Sequence, residues 1–426
     1  MRLLLKCFFP VLLVYPLLFS CKDNPVQGKP PAKKVFPYRQ LSDSERVYYN
    51  VRLSHFFDSL LLRSGFSGGI LVAKNGQVLY EHYSGFSDAY RADSITSVTP
   101  FHVASTSKTF TSTAIMQLVQ AGKLNLDDSL TKFFPQFPYP GNTVRNLLNH
   151  SSGIPYYANF MDKYGWDTKE VATNADVLYS LYANRPPQEF TPGSRFRYCN
   201  TNFVLLALIV EKVSGRFFPD FVKDSIFTPC GMTHSYIVSQ KNPQDFIPSF
   251  YPRNRIYNFD YLDGIYGDKN VFTTCRDLAK YDSCIRENVL LEQSMYEQAW
   301  KPYFKDRHYS DTSEYYGLGW RTKIFPDSVK VVYHNGWWHG NNSVFQRVMP
   351  DTAVIIVTGN VFATRIYQSA KAANVFRPYY NRGEIQTEGQ GDVQDAAPQV
   401  KRKSVVTSSK RKPAKKKKAV SHKRKR

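Results

Sequence analysis

The stretch His102-Val103-Ala104-Ser105-Thr106-Ser107-Lys108-Thr109-Phe110 sets a serine three residues before a lysine, at the head of an apolar-periodic segment. A serine hydroxyl is a weak nucleophile at neutral pH and needs a base within hydrogen-bond reach. Residues three apart share a helix face, so Lys108 can stand beside Ser105. A lysine held partly desolvated gives up its proton more readily and can take the serine's. Phe110, Ala114, Ile115, Leu118 and Val119 follow at helical spacing, with Gly122 as a stop signal. Ser105 then stands at the positive end of a buried helix, among N–H groups that have no helical partner.

Spacing alone does not choose this serine. Ser-x-x-Lys also occurs at Ser129/Lys132 and Ser409/Lys412. Ser409 lies in a basic low-complexity tail. Ser129 follows Asp127-Asp128 and precedes Phe133-Phe134-Pro135, which reads as a surface turn and short helix. The plain alternative for such a motif is an N-capping serine with an exposed lysine.

The chain has 426 residues, of which 42% are hydrophobic, enough for a large core in one or two domains. Its formal charge of +21 suggests a polyanion binder until it is located. Residues 401–426 hold 14 Lys and Arg and no acid, so the remainder carries only +7. Residues 384–426 have no aromatics and a composition typical of disorder. This tail is either a solvated end or an adhesive for an anionic surface; nucleic acid is not an expected partner for an exported protein.

Residues 1–20 open with a short cationic start and an apolar run to Phe19, the pattern of a secretory signal. Leu18-Phe19-Ser20-Cys21 resembles the bacterial lipobox, in which the cysteine is lipidated; a simple cleaved signal is the alternative. A lipid on Cys21 would anchor the protein to a membrane, periplasmic or on the outer membrane, without spanning it. Residues 21–43 read as the lipidated N-terminus and a proline-bearing linker, and 44–383 as the folded domain. Cys199, Cys230, Cys275 and Cys284 permit up to two disulfides, but their spacing shows no framework. There is no Cys-x-x-Cys or His-Glu-x-x-His pattern, so neither a metal nor another cofactor is expected.

Within the domain, residues 44–64 read as an amphipathic helix. Gly69–Ala73 and Val78–Tyr80 flank Lys74-Asn75-Gly76, a hairpin signal. Val331–His334, Val344-Phe345 and Val354–Val357 have strand chemistry, while residues 102–300 are mostly helical. The pattern predicts an α+β fold: an antiparallel sheet formed by both ends of the domain, with a helical region inserted.

Two further motifs stand out. Tyr-x-Asn occurs five times, but only Tyr198-Cys199-Asn200 lies between a turn, Thr191–Ser194, and a strong apolar helix stopped by Gly215. A tyrosine beside a lysine can relay protons, and an asparagine amide can orient a substrate amide. His334-Asn335-Gly336 ends a strand, and it is the only His-x-Gly in the chain. A strand glycine often marks a place where a ligand approaches the backbone. The N–H groups of Ser105 and Trp337 could form an oxyanion hole.

Taken in order, Ser105-x-x-Lys108, Tyr198-x-Asn200 and His334-x-Gly336 resemble the three motifs of the serine β-lactamase and penicillin-binding-protein superfamily. They are most similar to the branch of class C β-lactamases, D,D-carboxypeptidases, D-aminopeptidases and related esterases. Leu147–Pro155, Leu124–Asp128 and Tyr316–Trp320 match as flanks, and the resemblance covers about residues 45–375. It implies a β-lactamase/D,D-peptidase-like fold and acyl transfer to water. Ser105 would be the nucleophile, Lys108 and Tyr198 would handle protons, and Asn200, His334, Gly336 and Trp337 would bind substrate or the oxyanion. His334 departs from the lysine of class C β-lactamases, and Cys199 from the usual serine. The histidine weakens the cationic contact a β-lactam carboxylate wants and is closer to peptidases and esterases. The resemblance therefore implies a peptidoglycan D-amino-acid peptide or a small ester or amide as substrate. An inactive relative that binds cell-wall peptide or a partner is the alternative, motivated by Cys199 and by the bulk of Trp337-Trp338.

Overall fold

The helix expected near the start forms as α1, Asp43–Leu60, and its first turn is closed by a capping box between Ser42 and Glu45. A computed structural model describes residues 38–88, 93–252, 255–308 and 313–380. The expected signal (1–20), the lipidation site Cys21, most of the linker and the tail (384–426) lie outside these residues. No helix among the described residues is long and apolar enough to cross a membrane.

The Asn75-Gly76 turn joins β1 (Gly68–Lys74) to β2 (Gln77–Ser84). Both turn residues have positive φ, 53° and 72°, the backbone that a tight hairpin demands. The C-terminal half supplies β3 (Phe304–His308), β4 (Ser313–Tyr316), β5 (Arg321–Ile324), β6 (Lys330–Trp338), β7 (Asn341–Val348) and β8 (Ala353–Gly359). These eight strands form one antiparallel sheet in the order β2-β1-β8-β7-β6-β5-β4-β3. The two ends of the domain meet where β1 pairs with β8, Leu71 opposite Ile356. Everything between β2 and β3 is the inserted, mostly helical region.

Strand alternation divides the core into two layers. Ile70, Val72, Val344, Ile355 and Val357 face α1 and the helical segment Thr364–Val375. Leu71, Ala73, Phe345, Val354 and Ile356 face the inserted region. Burial of both faces explains why β8 reads as a nearly unbroken apolar run, with every residue buried; β7 is equally buried but carries Asn341, Asn342, Gln346 and Arg347 among its apolar residues. The central helix of the inserted region is α2, Ser107–Gln120, with eleven buried residues. It packs against α3 (Thr201–Ser214), which ends at Gly215 with φ 69°. Helix α4, Cys275–Arg286, leans on β1 and β8. One of the two permitted disulfides is present, Cys230–Cys284; Cys199 and Cys275 are free and buried.

Candidate active site

The site grows from the turn before α2. Ala104–Thr106 form a single 3-10 turn, and Ala104 sits at φ 47°. A residue with a Cβ in that left-handed region costs on the order of 1–2 kcal/mol, so its surroundings must hold it there. They do. The Ala104 N–H donates to His102 Nδ1 (3.2 Å), and the Val103 N–H to Val271 O (2.9 Å). Ser343 Oγ donates to Val103 O at 2.7 Å and lies 2.8 Å from Thr106 Oγ1. The Ser105 turn is thereby stitched to β7 and to the strand Val271–Thr273.

Gly336 on β6 makes this close approach possible. A Cβ there would fall 2.2 Å from Val103 O and 3.0 Å from Ser105 N. The third motif therefore needs glycine because the strand presses against the backbone of the serine turn. Trp337, whose N–H was expected to face an oxyanion, is the next residue along.

Lys108 is fully buried. Its Nζ donates to Ser105 Oγ at 3.1 Å and to the carbonyl oxygen of Asp268 at 2.8 Å, and it stands 5.0 Å from the centre of the Tyr198 ring. Asn200, at the start of α3, donates through Nδ2 to Tyr156 Oη (3.2 Å). Its buried Oδ1 has no hydrogen-bond partner within the protein. Such an atom is costly unless something else completes it. The fold thus brings together Ser105, Lys108, Tyr198 and Gly336, which span more than half the chain, with Asn200 two residues beyond Tyr198.

His334, expected to line the cleft, packs near Tyr198, with ring centroids 6.4 Å apart. It is completely buried. His150 Nδ1 accepts the Cys199 N–H (3.2 Å), which leaves Nε2–H to face Tyr316 Oη at 3.2 Å. Tyr316 Oη in turn lies 3.0 Å from His334 Nε2, and His334 Nδ1 lies 2.6 Å from Asn335 O. One consistent set of donors runs down this chain: His150 Nε2–H to Tyr316, Tyr316 O–H to His334 Nε2, and His334 Nδ1–H to Asn335 O. Burial, together with the positive charges of Lys108 and Arg321, holds both imidazoles well below their ordinary range, so both are neutral. His334 therefore supports the wall behind Tyr198 and presents no cation to the cleft.

The neighbouring tryptophans separate because adjacent strand residues point to opposite faces. Trp338 is buried on the face of Gly336 and donates to Asp263 Oδ1 at 2.6 Å. Trp337 packs against Phe362. They do not form one bulky plug. Cys199 points its thiol at Ile154 O (3.2 Å), and burial pushes it up to about 12. Such a thiol is inert at neutral pH.

Sequence reasoning passed over two groups. One is Asp260, Asp263 and His339, whose ligand-type atoms lie within 4.8 Å of one another; the pairing of His339 Nε2 with Asp263 (3.1 Å) accounts for it. The other is Tyr157, Asp268 and Lys269, all buried beside Lys108. Neither has a periodicity or spacing that could have marked it.

The family model described as Beta-lactamase matches residues 56–372. A penicillin-binding protein of Bacillus subtilis (strain 168) is 30% identical over 335 residues, covering 75% of this chain and 73% of its own length. A D-aminopeptidase of Cereibacter sphaeroides (strain KD131) is 28% identical over 277 residues, 64% of this chain; the match spans about half, 52%, of that protein. Among solved structures, the octameric penicillin-binding protein homologue from Pyrococcus abyssi superposes with a TM-score of 0.68 at 28% identity, covering 76% of this chain and 77% of that one.

Proposed function

Because this chain belongs to the beta-lactamase family, we propose that it is a serine hydrolase working through an acyl-enzyme on Ser105. The observation that carries the reading is the 3.1 Å contact between a fully buried Lys108 Nζ and Ser105 Oγ. Lys108, with Tyr198 close by, takes the hydroxyl proton as Oγ attacks the carbonyl carbon. The oxyanion settles between the N–H groups of Ser105 and Trp337. The proton passes to the leaving group, and water then attacks the acyl-enzyme, its proton returning through the same groups. Asn200 Oδ1, buried and without a partner, accepts an amide N–H of the substrate.

The substrate class is D-amino-acid peptides or amides of the cell wall, or small esters. Support comes from the D-aminopeptidase relative and from His334, whose neutral, buried ring offers no charge to a β-lactam carboxylate. The protein works outside the cytoplasm, tethered by a lipid on Cys21, with residues 44–383 as the catalytic domain; the N-terminal sequence supports this part. Labelling with a fluorophosphonate or a fluorescent penicillin tests the core of the reading. Wild type is expected to be labelled and Ser105→Ala to stay blank; label that persists in Ser105→Ala means another nucleophile.

A further inference from the structure

The reading above leaves a fully buried charged group without a task. Lys269 Nζ donates to Tyr157 Oη (3.0 Å) and to Ile265 O (3.1 Å). Tyr157 Oη donates onward to Asp268 Oδ2 at 2.8 Å. Asp268 Oδ1 makes no hydrogen bond and lies 3.7 Å from Lys269 Nζ. Exposure is 2% for Lys269 and zero for Asp268 and Tyr157. The arrangement is a cation and an anion joined through a phenol, one N–H and one O–H pointing the same way along it. Charges this deep are expensive to place, and two apolar side chains would fill the space with less penalty.

What the chain touches is the backbone that holds Lys108. The Asp268 carbonyl accepts from Lys108 Nζ at 2.8 Å. A neutral amine has two N–H bonds and one lone pair. As an ammonium Lys108 donates to both Ser105 Oγ and that carbonyl; once it has lost a proton, an N–H kept on the carbonyl limits its freedom to turn, and its lone pair can face Ser105 Oγ. The Asp268 carboxylate belongs to the residue that holds the catalytic amine. Left alone in a low-dielectric site, its charge would favour the protonated amine, the form unable to accept the serine's proton.

Resting on the proposed serine-hydrolase reading, we propose that Lys269 is a positioning and charge-compensating residue for the catalytic amine. Through Tyr157 it fixes the Asp268 segment whose carbonyl aims Lys108, and it cancels the Asp268 carboxylate so that Lys108 can act as a base. The other groups around Lys108 do not offer this compensation. Tyr198 meets it from the turn before α3. His150 and His334 are neutral. Arg321 on β5 lies behind the Tyr198 ring, ion-paired with Asp306 on β3. Tyr281 on α4 bonds to Thr109 O and Thr113, further along α2.

The test is the pH dependence of acylation at Ser105, followed by intact mass with a fluorophosphonate or penicillin, in the full chain. Lys269→Met leaves the carboxylate uncompensated, so the acid limb of the rate profile should move up by about one pH unit or more. Asp268→Asn removes the nearest carboxylate from the Lys269 cation, leaving only the Asp260, Asp263 and His339 group beyond it, and the limb should move down. The double variant Asp268→Asn/Lys269→Met should return it close to wild type. The signs are the same whether the proton goes first to the amine or to the Tyr198 phenol. Tyr157→Phe cuts the link while keeping both charges, so it should slow acylation across the whole range with less displacement of the limb. If Lys269→Met does not fold, Asp268→Asn alone must still shift the limb downward. A merely structural role would lower melting temperatures without producing opposite shifts. Acylation at Ser105 with limbs unmoved overturns this inference alone; wild type that no probe acylates overturns the serine-hydrolase reading with it.

Discussion

Ser105/Lys108 and Ser129/Lys132 have the same spacing and opposite surroundings. In the first pair the lysine is fully buried, bonded to its serine, and held by a carbonyl from 160 residues further along the chain. In the second the serine caps a four-residue helix, Leu130–Phe133, and the lysine is exposed beside Asp128. Ser-x-x-Lys therefore has no chemistry of its own. A water-facing ammonium keeps its proton and pairs with whatever acid is near. A dry one, aimed by its neighbours, can serve as a base.

Removing each amine in turn has the largest expected effect. Lys108→Met should lower the acylation rate about 10³-fold, the scale of a lost general base, while Lys132→Met should leave it unchanged. Equal effects would mean that burial is not what distinguishes the pairs. Next in size is Gly336→Ala. The added methyl would meet Val103 O at 2.2 Å, and either the strand or the serine turn must give way. Small misplacements of reacting groups cost about 10²-fold, so acylation should fall by that order while far-ultraviolet circular dichroism is retained. No such steric demand ties Ser129 to the sheet.

A third effect is on stability. His102, His150 and His334 are buried and neutral around the first pair, and burial lowers His102 to about 4. Unfolded histidines take up a proton near pH 6.5. The unfolded state therefore binds more protons below that pH, and stability is lost as pH falls from about 6.5 towards the folded values. Each such histidine contributes a slope of roughly 1.4 kcal/mol per pH unit within its window. Burial alone would lower His339, but its bond to Asp263 and that carboxylate's charge raise it, so it offsets part of the loss. Urea midpoints should drop between pH 7 and pH 5; a flat or rising midpoint would show that the imidazoles are not buried as neutral groups.

Much of this was legible in the sequence because it depends on local rules. The hairpin at Asn75-Gly76, the helix behind Ser105, the turn and helix around Tyr198, and the strands of the C-terminal half each carry a periodicity or a turn residue. The demand for glycine at 336 was visible as a residue type, though its reason was not. What stayed hidden depends on contacts between distant segments. Asp268 and Lys269 lie in a short irregular run, and only folding sets them under Lys108. His334 looks like a cleft residue on paper; it is buried because β4 and the loop after Leu148 bring Tyr316 and His150 over it. Cys230 and Cys284 pair because their Cα atoms end 5.8 Å apart, which no spacing of four cysteines reveals. Trp337 and Trp338 read as one obstacle, until β6 proves to run through both and turns them to opposite sides.

Ser129 itself has only a local structural part. Ser129 Oγ accepts the Thr131 N–H at 3.3 Å, satisfying one of the open donors at the start of its helix. Ser129→Ala should therefore cost about 1 kcal/mol of stability, the usual value of a lost N-cap, and leave acylation kinetics untouched. Calorimetry and labelling on the same sample read both quantities. A serine whose removal is felt only in melting, set beside one whose removal is felt only in chemistry, would separate the two motifs by function as well as by place. A kinetic defect in Ser129→Ala would instead mean that the loop from Asp127 to Thr143 supports the catalytic cleft, and that the two regions are not independent.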